Sequence, residues 1–240
     1  MRTQALNHAA VDGARRCPQK FLQTLLPADV AVIGVTGDAR YPDRLPVASQ
    51  LVAKSSDHRR RNDHAAGRHC AGTALRRLGR QGEWLGSHRD GRPKWPPGVT
   101  GSITHTEGFA AAAVGEQQKF RAIGIDAEKI GGVTKDLWHR IFSTPETQWL
   151  EGLHGAEQAK AATSMFSAKE AFYKCQYELT GQWLEFRDIV LRLFCGHPGR
   201  GRFIAQPVGR LALFEQHPGP ALIRFATLPG LALSAMTIAV

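Results

Sequence analysis

Several things are missing from this 240-residue chain, and each absence narrows what it can be. No apolar run reaches the roughly 18 residues that a membrane-spanning helix needs. The opening stretch, MRTQALNHAAVDGARRCPQK, lacks the long apolar segment of a secretory signal. There are only four cysteines, Cys17, Cys70, Cys175 and Cys195, far apart and with no CxxC pair. That spacing argues against a disulfide framework or a zinc site and fits free thiols in a reducing compartment, so a cytoplasmic protein is expected. Internal repeats and low-complexity tracts are also missing. No GxxxxGK[ST] loop is present, which counts against the P-loop phosphotransferases.

What is present is enough for a core and unbalanced in charge. Apolar residues make up 42% of the chain, charged residues 22%, and the net charge is +10 with a sequence pI near 9.9. Such a chain binds polyanions: nucleic acid, membrane surfaces, phosphorylated cofactors or acidic proteins. Basic residues cluster at His58-Arg59-Arg60-Arg61 and Arg76-Arg77, with Arg200 and Arg202 further on. Any one of these clusters reads equally as a solvated basic surface.

Apolar periodicity and turn residues predict mixed α+β structure. A short helix is expected within residues 1–28, and a buried strand at Ala31–Val35. Gly37–Pro46 reads as turn-rich, with a further short element near Leu51. His64–Leu78 carries a small-residue face and reads as a helix ended by Gly79. Gly82–Gly101 reads as a loop or irregular edge. Short strands are expected at Ser102–His105, Phe109–Val114, where the alanines also allow a helix, and Ala122–Ile125, the last broken by Asp126. Helices follow at Thr134–Phe142, Pro145–Gly152 and Glu157–Thr180. Ile189–Phe194, Gly201–Gln206, Leu211–Glu215, Ala221–Thr227 and Leu231–Val240 read as strands joined by Gly/Pro turns.

Three constellations carry chemistry. In Gly124-Ile125-Asp126-Ala127-Glu128, strand alternation puts Asp126 and Glu128 on one face. Two adjacent carboxylates repel unless a cation lies between them, and Mg²⁺ takes one or two carboxylates together with phosphate oxygens. Alone, the pattern also describes two solvated acids. In Ser167-Ala168-Lys169-Glu170-Ala171-Phe172-Tyr173-Lys174, helical spacing puts Glu170 and Lys174 on one face. They are either a surface ion pair or, among Phe166, Phe172 and Tyr173, a metal ligand and a phosphate contact. Gly91-Arg92-Pro93-Lys94-Trp95-Pro96 leads into Gly101-Ser102-Ile103-Thr104-His105-Thr106, placing basic, hydroxyl and imidazole groups at Gly-flanked turns that suit a phosphate.

Taken in order, GRPKWP, GSITH, GIDAE and SAKEAFYK, with Ala66-Gly67-Arg68 upstream, resemble the 4'-phosphopantetheinyl transferases of the surfactin- and enterobactin-synthetase type, the longer monomeric class. The resemblance covers residues 59 to 186 or so. It implies two similar α+β halves, 1–120 and 121–240, packed about a pseudo-two-fold with the active site between them. It implies Asp126, Glu128 and Glu170 as ligands of Mg²⁺, with Mn²⁺ as the alternative, and Lys174 beside the pyrophosphate. His105 and Thr104 match residues holding the phosphates and ribose of coenzyme A, and Arg68 and Arg92 match its nucleotide contacts. His64 departs from the pattern, standing where relatives often carry an aromatic residue. The implied reaction moves phosphopantetheine from coenzyme A to a serine of an acyl or peptidyl carrier protein and releases 3',5'-ADP. A nonribosomal peptide, siderophore or polyketide system is the implied setting, for a monomer that binds no nucleic acid. The general base is Glu170, with Glu128 and Lys169 as alternatives. Two rivals remain: a basic nucleic-acid-binding protein, and another Mg²⁺-dependent phosphotransferase using the same acids.

Overall fold

The computed structural model describes residues 17–37, 58–83, 85–197 and 199–240. The element expected near Leu51, the turns at 38–46 and the side chains of the His58–Arg61 cluster lie outside the described residues. A first antiparallel sheet has the order β1 (Ala31–Thr36), β5 (Phe109–Glu116), β4 (Val99–Thr106). The second runs β6 (Phe120–Lys129), β10 (Leu231–Ala239), β9 (Ala221–Leu228), β8 (Arg200–Pro207), β7 (Ile189–His197). Two-residue strands β2 (Gly86–Ser87) and β3 (Pro93–Lys94) pair in the Gly/Pro-rich stretch.

The helices cover the sheets. α1 (Pro18–Thr24) begins with proline, whose missing N–H is no loss in a first turn. It contributes Leu22 to a core that β1, β5, β6 and β10 share. α2 (His58–Arg77) lays Cys70, Ala71, Ala74 and Leu75 on Ile33, Val99, Ala112 and Val114. Covered on both faces, β5 is a continuous apolar run, with alternate residues in two different cores. α3 (Lys135–Ile141) and α4 (Thr144–Glu151) lead into α5 (Gly155–Thr180), which Gly181 ends in the left-handed region at φ 62°. Met165, Ala168, Ala171, Phe172 and Cys175 of α5 pack on Phe203, Ile223 and Phe225 of the second sheet. The four cysteines are free.

Two expectations are corrected. Leu211–Glu215 is not a strand: Ala212–Gln216 form a short helix, α6. Leu211 and Leu213 are both buried, and over so few residues that i, i+2 pattern does not distinguish strand from helix. Nor does Asp126 break its strand. β6 runs on to Lys129, with Asp126 opposite Ser234 of β10 and one oxygen of its carboxylate, Oδ1, bonded by the Thr104 and Lys174 side chains.

The edge strands β4 and β6 meet through side chains. Ser102 Oγ accepts a hydrogen bond from the Ile125 N–H at 3.1 Å, and Thr104 Oγ1 accepts one from Ala127 N–H at 3.0 Å. Hydroxyls thus satisfy β6 backbone donors where no β4 carbonyl does, as buried N–H groups require. The seam holds the SITH segment against the GIDAE segment.

Candidate active site

On β6, Ile123, Ile125 and Ala127 enter the core under α1. Gly124, Asp126 and Glu128 share the opposite face, towards α5. A Cβ at Gly124 would lie 1.9 Å from the Ala171 carbonyl oxygen, so only glycine lets the strand come this close to the helix. The contact sets Glu170 and Lys174 of α5 beside Asp126 and Glu128. Gly67 has a similar role on α2, where a Cβ would stand 2.6 Å from the Ile103 side chain.

Asp126 is buried. Its Oδ1 accepts from Lys174 Nζ at 2.6 Å and from Thr104 Oγ1 at 3.2 Å. Its Oδ2 is buried with no hydrogen-bond partner. Burial and the charges of Asp126 and Glu170 push the Glu128 carboxyl up to about 7, against the pull of Lys174. Burial also raises the Glu170 carboxyl, with Asp126 adding to the effect and Lys174 opposing it. For Lys174, burial lowers the ammonium, but the nearby carboxylates of Asp126 and Glu170 outweigh it and the net direction is up. Three acids share one lysine, leaving a surplus of negative charge in a partly dry site. As they stand, no three His, Cys, Asp or Glu side chains among the described residues converge as ready-made ligands of one ion; Lys174 is the cation closed on Asp126.

Beside these acids a cleft of about 270 Å³ opens between α2, the β3 region, β4 and α5. Arg92, His105 and Lys174 line it, as do Trp95, Tyr173 and Tyr177. Arg92 lies over the Tyr177 ring at 4.7 Å and pairs with Asp90 at 2.7 Å and Glu178 at 3.8 Å. Tyr173 and Tyr177 stack at 5.3 Å, one helical turn apart. A second groove of about 230 Å³ runs from Glu170 and Tyr173 to Trp183, Leu184 and Phe186.

Three candidate residues serve other ends than those expected. Thr104 faces Asp126 across the seam and does not line the cleft. Arg68 reaches the cleft wall, but its guanidinium donates to the carbonyls of Leu85 and Gly86 and to Ser87 Oγ at 3.0 Å, holding β2 in place. Burial lowers that guanidinium to about 10. Lys169 is no candidate base: its ammonium donates to Glu146 at 2.9 Å, the Phe186 carbonyl at 2.7 Å and the Ile189 carbonyl at 2.9 Å. Glu146 caps α4 through the Ser143 N–H at 2.7 Å and accepts from the Leu191 N–H at 2.7 Å.

Sequence reasoning passed over Tyr177 and Glu178. Each lies four residues beyond a residue already singled out, on a helix expected to reach Thr180, so the i, i+4 rule would have found them.

The cleft is lined with basic and aromatic groups that suit a phosphorylated cofactor, and Lys174 joins it to the acids of β6. Residues 48–115 match the 4'-phosphopantetheinyl transferase N-terminal domain, and residues 122–226 match the 4'-phosphopantetheinyl transferase superfamily. 4'-Phosphopantetheinyl transferase Npt of Nocardia iowensis is 39% identical over 171 residues, which cover 70% of this chain and 74% of the relative. PptT of Mycobacterium tuberculosis is 33% identical over 201 residues, covering 78% and 83%. Enterobactin synthase component D of Escherichia coli K12 is 36% identical over 133 residues, covering 54% and 60%. The chain belongs to the 4'-phosphopantetheinyl transferase superfamily, and it is an enzyme that transfers phosphopantetheine from coenzyme A to carrier proteins.

Proposed function

We propose that the cleft between the halves 1–120 and 121–240 binds coenzyme A, and that Asp126, Glu128 and Glu170 hold Mg²⁺ at its end. The donor set suits the ion. It is all oxygen, as Mg²⁺ prefers; Asp126 Oδ2 is buried and unpartnered; and the acids carry more charge than Lys174 neutralises. When bound, Mg²⁺ neutralises charge on the diphosphate as 3',5'-ADP departs.

The chain's own groups do the rest. Lys174 approaches the diphosphate from α5 while staying anchored at Asp126. Arg92 and His105 line the path of the nucleotide. The pantetheine arm fits the apolar groove walled by Trp183, Leu184 and Phe186, which Glu170 also lines. The carrier serine enters at that end and loses its proton to a carboxylate. Glu170 is the favoured base and Glu128 the alternative. A carboxyl raised towards neutrality is well matched to that task.

The observation that carries this reading is the unpartnered Asp126 Oδ2 among three acids, beside a cleft that Lys174 lines. The four free thiols fit a reducing compartment such as the cytoplasm, and a monomer belongs to the same reading. The enterobactin-type relatives support a siderophore or other nonribosomal peptide carrier as the acceptor. Intact-mass analysis of such a carrier, incubated with the protein, coenzyme A and Mg²⁺ or EDTA, tests the reading. The expected result is a gain of one phosphopantetheine with Mg²⁺ and none with EDTA. Gain in EDTA removes the metal, and no gain with any carrier removes the acceptor assignment.

A further inference from the structure

His64 is a cleft residue with unspent hydrogen-bonding capacity. It lies on α2, one turn before Arg68, and lines the cleft. Both ring nitrogens, Nδ1 and Nε2, are buried without a hydrogen-bond partner. A buried polar atom without a partner costs about 1–3 kcal/mol, and this imidazole stands in the cleft wall, where a ligand can complete it. The charges that act on it most are those of Arg68 and His105. Arg68 on the same helix is committed to β2, and His105 comes from β4. Arg92, Lys174, Glu178, Tyr173 and Tyr177 line the rest of the cleft. Of the other strands that α2 packs on, β1 carries no titratable side chain and β5 only Glu116 at its end. Burial and the charges of Arg68 and His105 hold the imidazole below its ordinary value, which favours the neutral ring.

We propose that His64 reads a phosphate of the 3',5'-ADP half of coenzyme A, donating from the ring to a phosphate oxygen and taking up a proton from solvent as it does so. This rests on the coenzyme A reading of the cleft and adds a specificity-determining residue to it. The neutral ring supplies one N–H and one bare nitrogen. An arriving phosphate reverses the local field, the bare nitrogen binds a proton, and the imidazolium then makes a charge-assisted hydrogen bond. No bond to phosphorus forms or breaks.

Calorimetry of coenzyme A binding near neutral pH, in buffers of different ionisation enthalpy, counts the protons taken up. Wild type is expected to gain a fraction of a proton that disappears in His64→Gln. The KM for coenzyme A should rise about tenfold, with kcat changed far less, the expected scale for one charge-assisted hydrogen bond. Dephospho-coenzyme A distinguishes the two phosphate sources. A penalty on coenzyme A alone assigns the 3'-phosphate, and an equal penalty on both assigns the diphosphate. Proton uptake unchanged in His64→Gln overturns the proposal. So does full recovery of KM in His64→Phe, which would make the ring a packing surface. Wild type that fails to bind coenzyme A removes the cleft reading itself, a result visible before any variant is made.

Discussion

Gly124→Ala puts a methyl group where the strand of acids meets helix α5. The new Cβ would lie 1.9 Å from the Ala171 carbonyl oxygen and 2.8 Å from both the Cys175 Cβ and its backbone nitrogen. Two of these three atoms are backbone, so no rotamer change relieves the contact. Restoring ordinary van der Waals separation means opening the strand–helix spacing by about 1.5 Å. Overpacking of this kind, against backbone, costs about 3 kcal/mol or more. In a chain of this size that lowers the melting temperature by about 6–12 °C. The same displacement carries Glu170 and Lys174 away from Asp126 and Glu128, and misplacement on that scale costs about 100-fold in rate. The assay is thermal unfolding beside carrier loading measured below the variant's melting point. Gly72→Ala is the matched control. It sits within α2, where a Cβ meets nothing nearer than Arg76 Nη1 at 3.8 Å, so it should be neutral or stabilising by up to about 1 kcal/mol. A Gly124→Ala protein that melts with wild type and loads carrier at the wild-type rate refutes the close-approach account.

Asp126→Asn keeps an oxygen for Thr104 but removes the charge that pairs with Lys174; carrier loading, measured below the variant's melting point, should fall by about 100-fold, and near wild-type loading would remove Asp126 from the metal site. Lys169→Ala leaves Glu146 charged in a dry core, and losing one member of such a pair costs about 3–5 kcal/mol; an unchanged urea midpoint would contradict the structural role. In metal-free protein the raised Glu128 carboxyl keeps its proton up to about pH 7, whereas the unfolded chain releases it near the ordinary 4.5. The folded state therefore binds more protons in that window, and the contribution of Glu128 to stability falls as pH rises from about 4.5 to 7. Comparing wild type with Glu128→Gln in EDTA isolates this slope. Mg²⁺ should stabilise wild type increasingly across the same window, and a Mg²⁺ effect independent of pH would argue against Glu128 as a ligand.

Much of this protein was legible in one dimension because the relevant physics is local. Alternation placed Asp126 and Glu128 on one face, helical spacing placed Glu170 with Lys174, and the order of five short motifs indicated the family. The helix at Gly155–Thr180 and the strands around it followed from apolar periodicity. What side chains do at a distance was not legible there. Lys169 and Glu170 are neighbours in sequence, yet a helix turns successive residues about 100° apart. One therefore closes on Glu146 and the carbonyls before β7, and the other faces the acids of β6. Arg68 reads as a phosphate ligand, and only the structure shows that three of its hydrogen bonds go to Leu85, Gly86 and Ser87. Thr104 belongs to the β4–β6 seam rather than to the cleft. His64, noted in the sequence only as a departure, has two unsatisfied ring nitrogens only once α2, β4 and α5 are brought around it. Residue type and spacing determine which groups a chain owns and which face of its own element each occupies. Packing alone decides which of those groups are already spent on the protein and which remain free for a ligand, because that depends on partners far away along the chain.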